Sequence, residues 1–102
     1  MNNYTVIISN EFSAMANKCL SHLETFSNSY VFSTSLTLSY YILLLEKFPF
    51  AFSRFLLPND NSFLRRIVIN KRYLLLYQVT DNIVEMLYFV DGRRSYENML
   101  TY

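Results

Sequence analysis

The side chains that could do chemistry in this chain are concentrated in its C-terminal half. Three arginines and a tyrosine stand out, Arg66, Arg93, Arg94 and Tyr96. Arginine carries a permanent positive charge that suits phosphate, and a phenol can donate a proton. Cleavage of an RNA phosphodiester needs a base for the 2′-hydroxyl, a cation for the charged intermediate and an acid for the leaving oxygen. The arginines could supply the cation, and Tyr96 or Tyr73 the acid.

A general base is harder to find. His22, the single histidine, falls within the apolar stripe of the first predicted helix and is far along the chain from the arginines. Cys19 lies on the same stripe and is interpreted as a small buried hydrophobe rather than a nucleophile. Glu85 is the only carboxylate predicted inside a strand. The catalytic residues therefore stay open, with Arg66, Arg93 and Tyr96 as candidates.

The elements that position these residues belong to one small domain. The chain has 102 residues, 52 % of them hydrophobic and 18 % aromatic, which predicts one folded domain over residues 1–102. A single glycine excludes a P-loop and a G-x-G-x-x-G loop, since both need several glycines. One cysteine and one histidine exclude internal disulfides and multi-cysteine or two-histidine metal sites. No metal or cofactor is expected.

Charge is distributed unevenly along a nearly neutral chain. The net charge is +1, with −1 over residues 1–53 and +2 over residues 54–102. Six of the seven cations in the second half form adjacent pairs: Arg65-Arg66, Lys71-Arg72 and Arg93-Arg94. Such pairs can build a local positive patch. If these pairs have no functional role, we expect Lys71 and Arg72 to lie in a solvated turn. Arg65 would then shield a sheet edge or pair with Glu85 across the sheet.

Helical periodicity predicts two helices after a short first strand, Tyr4 to Ile8. Ser9 and Asn10 offer an N-cap for a helix over residues 11–27, with Glu11 in its first turn. Its apolar residues recur in steps of three and four: Phe12, Met15, Ala16, Cys19, Leu20, Leu23 and Phe26. After a polar break at Ser27 to Tyr30, a second helix is expected from about Ser33 to Lys47, ending before Pro49. Its predicted inward stripe is Leu36, Tyr40, Leu43, Leu44 and Phe48.

Three strands are predicted after an irregular connection over residues 49–62. They run from Phe63 to Ile69, Tyr73 to Val79 and Ile83 to Val90, with turns at Asn70 to Arg72 and at Asp81-Asn82. The expected fold is α+β, in the order β-α-α-β-β-β, with a helical hairpin on one face of a small antiparallel sheet. The first strand must pair with the later ones, because an unpaired strand leaves its backbone groups unsatisfied.

No membrane segment is apparent. The longest apolar run, Tyr40 to Leu45, is far shorter than the roughly 20 residues that span a bilayer. The N-terminus lacks the charged start and apolar centre of a signal peptide. A cytoplasmic location is expected.

Two segments of the C-terminal half carry a distinctive pattern. In residues 66–81, RIVINKRYLLLYQVTD, an arginine opens one strand and a Y-x-x-x-Y-x-V pattern forms the next. Residues 91–100, DGRRSYENML, contain a strand end followed by an Arg-Arg tail. Both segments resemble the RelE/ParE toxin superfamily, and the element order over residues 4–100 is also the order of that family.

This resemblance implies the toxin of a bacterial type II toxin–antitoxin module, neutralised by a cognate antitoxin in a possible hetero-oligomer. ParE-like members inhibit DNA gyrase, whereas RelE-like members are metal-independent endoribonucleases that cut mRNA on the ribosome. Arg66, Arg93, Arg94 and Tyr96 are then expected to contact the target.

Departures from the nuclease pattern favour the ParE-like activity slightly. Nuclease members often have an arginine directly after the aromatic that opens the Tyr73 strand, where this chain has Leu74. A second basic position corresponds to Ile69 or Asn70. Nuclease members also tend to be far more basic than a pI of 7.8, in keeping with the phosphate contacts that ribosome entry requires. The alternatives are mRNA cleavage, a degenerate interaction module without a toxic target and, least favoured, a nucleic-acid-binding domain.

An aromatic excess points to a partner surface. A chain this short buries only about two-thirds of its surface on folding, so nine Phe and nine Tyr are hard to hide in one core. Phenylalanines crowd the connection after the second helix, where burial is least certain. The antitoxin is therefore expected to contact Phe50, Phe52, Phe55, Tyr73 and Tyr77.

Overall fold

The computed structural model describes residues 3–24, 28–55 and 63–92. Within these ranges the chain forms a four-stranded sheet and two helices. In chain order the elements are β1 (Thr5–Ile8), α1 (Asn10–Glu24), α2 (Asn28–Leu45), β2 (Arg65–Ile69), β3 (Tyr73–Thr80) and β4 (Ile83–Asp91). The expected α+β class and element order are confirmed.

The sheet has the order β1-β4-β3-β2 and is mixed rather than purely antiparallel. β2, β3 and β4 form the predicted antiparallel meander, and β1 pairs with β4 in parallel. The parallel pairing follows from the connection, because the chain passes through both helices before it returns to the sheet. The first strand thus pairs as expected, and its backbone is satisfied along one edge.

α1 begins where the sequence predicts. The Ser9 hydroxyl accepts a hydrogen bond from the Phe12 backbone N–H at 3.0 Å, which is an N-cap. The same hydroxyl donates to the Leu87 carbonyl at 3.1 Å, beside the irregularity in the pairing of β3 with β4. One serine therefore starts the helix and fastens it to β4.

α2 differs from its prediction in two ways. It begins at Asn28, so residues 28–30 are helical rather than part of a polar break. Its predicted inward stripe is also wrong, because most of that stripe is exposed: Leu36, Tyr40, Leu43 and, just beyond the helix, Phe48. The helix instead turns Leu45 and Thr34 inward, and both are fully buried.

The main core lies between the helices and one face of the sheet. It contains Phe12 and Ala16 of α1, Leu45 of α2, and the alternate strand residues Ile67, Ile69, Tyr73, Leu75, Tyr77, Val84, Met86 and Phe89. Phe12 and Tyr73 both contact the Phe89 ring, with centroids 5.7 and 5.2 Å apart. A second buried cluster includes Phe55, Leu64, Leu74, Leu76 and Val90. Strand alternation places Leu74 and Leu76 on the face opposite the helices.

Candidate partner-binding surface

The outward side of α2 is the most unusual surface of the described chain. We call it the outer face of α2 and define it by the exposed residues Ser29, Phe32, Ser33, Leu36, Ser39, Tyr40 and Leu43. The four large side chains are 66 %, 56 %, 60 % and 63 % exposed in chain order. Their steps of four, four and three residues place them on one side of a helix.

The outer face of α2 carries no charge. No Asp, Glu, Lys or Arg occurs anywhere in the 18 residues of the helix. An uncharged helix with large apolar side chains on two sides is normally buried on both. Here one side contributes Leu45 to the main core and the other faces outward. An exposed apolar surface of this kind is typical of interaction sites.

Two more exposed phenylalanines follow the end of α2. Phe48 and Phe50 are each 57 % exposed, and the Phe50 ring meets Tyr4 edge-on with centroids 6.1 Å apart. At about 200 Å² for each large apolar side chain, the outer face of α2 exposes roughly 500 Å² and the two rings roughly 200 Å² more. The largest apolar patch on an ordinary monomer is about 300–600 Å² and is often functional, so the outer face of α2 alone is large for a monomer.

The segment that carries Phe50 is held firmly against the sheet. The Arg65 guanidinium donates to the Phe52 carbonyl at 2.6 Å and lies 5.0 Å from the centre of the Phe50 ring. The Arg66 backbone N–H donates to the Ser53 carbonyl at 3.0 Å. The Tyr77 hydroxyl donates to the Pro49 carbonyl at 2.7 Å. These contacts fix Phe50 in place while leaving its ring exposed.

The surroundings of Tyr77 raise the pKa of its hydroxyl. Burial raises the pKa of its hydroxyl from 10.0 to about 12, because the phenolate would be poorly solvated there, and the Arg65 charge opposes this with a smaller lowering effect. The phenol is therefore protonated at neutral pH and acts as a hydrogen-bond donor to Pro49, which is a structural role.

The predicted antitoxin residues separate into two groups. Phe50 is exposed, and Phe52 is half-buried against the Tyr41 ring with centroids 5.8 Å apart. Phe55, Tyr73 and Tyr77 are buried in the two cores. The expectation that these three line an exposed surface needs correcting, because strand alternation turns both tyrosines under the helices. Sequence alone does not identify Phe32, which falls between the predicted polar break and the predicted second helix, or Leu36, which lies on the predicted apolar stripe of that helix, as partner-binding residues.

Among the predicted target-binding residues, the structure places Arg66. It is exposed on β2, opposite Leu76 of β3, which in turn lies opposite Tyr88 of β4. All three lie on the sheet face away from the helices. Arg93, Arg94 and Tyr96 lie outside the described residues.

The remaining charged candidates have structural partners. Arg65 does not pair with Glu85: it binds the Phe52 carbonyl, while Glu85 accepts a hydrogen bond from the Gln78 amide at 3.1 Å. Arg72 forms an ion pair with Asp91 at 3.2 Å rather than being fully solvated. Lys71 is exposed in the turn, as expected.

A close backbone contact explains why the residue after β4 is a glycine. The Gly92 N–H donates to the Arg72 carbonyl at 2.6 Å, and a Cβ at Gly92 would lie 2.6 Å from that same oxygen. Any other residue would have to move the backbone away, which would disturb the strand end that carries Asp91. Gly92 therefore belongs to the sheet rather than to a ligand loop.

The described residues contain no cluster of three metal-ligating side chains. Within the same ranges, no helix is both long and apolar enough to cross a membrane.

The similarity of this chain to known proteins is found in its structure rather than in its sequence. No family model matches the sequence, and no curated protein matches it either. Among solved structures, the chain is similar to one described as the chromosomal ParDE TA system from P. aeruginosa, with a TM-score of 0.71 and 8 % sequence identity. The match covers 89 % of this chain and 98 % of the other. The fold is RelE/ParE-like.

This RelE/ParE-like fold confirms the resemblance drawn from the C-terminal strands. At 8 % identity the similarity concerns the fold alone. What this chain does depends on its own surfaces, of which the outer face of α2, Phe50 and Arg66 are the distinctive ones.

Proposed function

We propose that this chain is the toxin of a type II toxin–antitoxin module, which inhibits growth in the cytoplasm and is neutralised by a cognate antitoxin. The observation that carries the proposal is the uncharged outer face of α2, which exposes roughly 500 Å² of apolar surface, on a fold shared with a ParDE toxin–antitoxin structure. A toxin that is bound to its antitoxin most of the time needs an apolar surface of this kind for that contact.

The antitoxin contact is proposed at Phe50 and Phe52, together with the adjoining outer face of α2. Phe50 is an exposed aromatic on a backbone fixed by Arg65 and Tyr77. A rigid aromatic loses little conformational entropy on binding, which is typical of residues that dominate interface energetics. Phe50→Ala is expected to weaken the complex at least tenfold.

DNA gyrase is the favoured target. Nuclease members carry basic side chains at two positions, which correspond here to Leu74 and to either Ile69 or Asn70, and all three of these residues have structural roles. Leu74 and Ile69 are buried, and the Asn70 amide donates to the Thr34 hydroxyl at 3.0 Å. An arginine at a buried position would leave a charge without water. The proposed target contacts are Arg66 with Arg93, Arg94 and Tyr96.

Ribosome-dependent mRNA cleavage is the second candidate, favoured by one feature of the sheet. Arg66, Tyr88 and Glu85 share the face opposite the helices, so a cation, a phenol and a carboxylate occupy one surface. These are the group types that metal-independent phosphodiester cleavage needs. A degenerate interaction module of the same fold is the third candidate.

Induction of the chain in bacteria, with soluble protein confirmed, tests the proposal. We expect growth arrest with DNA-damage signalling and filamentous cells while translation continues; halted translation with cut mRNA would support the nuclease instead. Arg66→Ala, and separately Arg93→Ala with Arg94→Ala, should abolish the arrest. Lys71→Ala, an exposed cation in a turn, is the matched control and should still arrest growth.

Normal growth with soluble wild-type protein would contradict both toxin mechanisms. The partner is tested by co-expressing the product of the adjacent open reading frame, which should restore growth to the wild-type strain. Restoration that persists with Phe50→Ala at limiting partner levels would remove Phe50 from the proposed contact.

A further inference from the structure

The order of the four large residues makes the outer face of α2 complementary to a second, antiparallel copy of itself. Phe32, Leu36, Tyr40 and Leu43 alternate aromatic, leucine, aromatic, leucine. If two copies of the helix lie antiparallel, Phe32 faces Leu43 of the second copy and Leu36 faces its Tyr40. Every pair then joins one aromatic to one leucine. We propose that a second copy of this chain packs on this face, forming a two-fold symmetric dimer in the absence of other partners.

Symmetry makes this arrangement consistent. In an isologous interface the same patch serves both copies, so residue i contacts residue j while j contacts i. Aromatic residues that face aromatic residues would hold the two helices apart at that point, and leucine facing leucine would leave a void beside them. An aromatic against a leucine in every pair gives even spacing along the interface, which close packing requires.

The electrostatics of α2 permit self-association. The helix has no charged side chain, so two copies bring no like charges together along the face. Its first turn contains no acidic residue and its last turn no basic one, so its own side chains do not offset the helix dipole. An antiparallel second helix places opposite dipole ends side by side.

Small residues between the large ones allow the helices to approach. Ser29, Ser33 and Ser39 are exposed on the same face. Interaxial distances of about 8–10 Å depend on the side chains at the contact. Serines beside each large residue provide the recesses into which the partner's aromatic and leucine side chains fit.

The area buried between the two copies sets the expected affinity of the dimer. The four large residues expose roughly 500 Å² per copy at about 200 Å² for each whole side chain, so a dimer buries roughly 1,000 Å² in total. This lies at the lower limit for a specific protein–protein interface. A concentration-dependent dimer follows, weak enough for a partner with a larger interface to displace.

Sedimentation velocity on the purified chain from about 1 to 100 µM tests the proposal, since this range spans micromolar dissociation constants. We expect the wild type to shift from monomer to dimer across the range. Leu36→Glu should stay monomeric, because a carboxylate would be buried against Tyr40 of the second copy. Val68→Glu, at an exposed position on the opposite sheet face, should dimerise like the wild type. Circular dichroism should show each variant folded.

A mixture of two variants tests the antiparallel register. Leu36→Glu and Tyr40→Lys should each be monomeric alone but associate when mixed, because position 36 of one copy meets position 40 of the other. Leu36→Glu mixed with Leu43→Lys should stay monomeric. Rescue by Leu36→Lys instead would indicate parallel packing and overturn the proposal.

Other occupants of the face have distinct outcomes. A wild-type chain that stays monomeric throughout the range overturns the proposal. So does a dimer that persists in Leu36→Glu, since its interface lies elsewhere. If the wild type is monomeric and Leu36→Glu loses only binding to the co-expressed antitoxin, the occupant is the antitoxin. Because dimerisation is measured on the purified chain, its failure is separate from failure of the growth-arrest proposal.

Discussion

The two helices of this protein are used in opposite ways. α1 is amphipathic: Phe12 and Ala16 are buried, while Glu11 and Lys18 are exposed. α2 has no charged residue, and it buries Leu45 while leaving Leu43 63 % exposed two residues earlier. α1 therefore has a solvent side and a core side, whereas α2 has two apolar sides and only one core. The second apolar side of α2 adds little to the core, and we propose that it serves binding.

The largest expected difference in stability is between truncation of a phenylalanine in α1 and truncation of one in α2. Phe12→Ala should lower the free energy of unfolding by about 3–5 kcal/mol, because it opens a cavity against Phe89 in the core. Phe32→Ala should change it by less than about 0.5 kcal/mol at dilute protein, because that ring is exposed. Urea denaturation of both variants measures the difference. Equal losses would mean that the outer face of α2 is part of the core.

A pair of leucines sharpens the comparison within α2 itself. Leu45→Ala should cost about 2–5 kcal/mol, since Leu45 is fully buried. Leu43→Ala should cost less than about 0.5 kcal/mol. The same denaturation series reports both values. A larger loss for Leu43→Ala would reverse the orientation assigned to the helix.

How much the sequence predicts depends on contrast between polar and apolar residues. In α1, Glu11 and Lys18 mark the solvent side, so periodicity locates the core side correctly. In α2, two sets of residues follow helical spacing equally well. One is the inward set, Val31, Thr34, Leu38, Tyr41 and Leu45. The other is the predicted stripe, Leu36, Tyr40, Leu43 and Leu44. Without a charge to mark the exposed side, periodicity predicts a helix but not its orientation.

The strands show the same division. Apolar runs bounded by turn residues predict β3 and β4 within one residue of their observed ends. The site is less predictable. Phe50 is identifiable from the sequence, but the contacts from Arg65 and Tyr77 that hold its segment come from residues far along the chain. No local pattern encodes such long-range hydrogen bonds.

The N-cap of α1 gives a smaller effect. Ser9→Ala should lower the free energy of unfolding by about 1–2 kcal/mol, because it removes the cap at Phe12 and the hydrogen bond to the Leu87 carbonyl. Hydrogen exchange should be faster over the first turn of α1, with α2 unchanged. Faster exchange in both helices to the same extent would contradict a separate anchor for α1.

Tyr77, which anchors the segment after α2, should give the smallest effect at neutral pH. Tyr77→Phe should cost about 1 kcal/mol through loss of the hydrogen bond to Pro49. The pKa of Tyr77 is raised on folding, so the stabilisation is complete below pH 10 and is lost as pH rises toward about 12. The wild type should therefore lose stability more steeply than Tyr77→Phe over this interval. Parallel pH profiles would mean that Tyr77 does not titrate with a raised pKa.

We propose that the outer face of α2 is open in a single chain and is covered only by another protein surface. The rate at which a thiol reagent modifies Leu36→Cys, with Cys19→Ser to remove the native thiol, tests it most directly. We predict modification at nearly the rate of a free thiol in dilute protein, slowing as the protein concentration rises or when the antitoxin is added. Slow modification at every concentration, matching Ala16→Cys in the core, would contradict the claim.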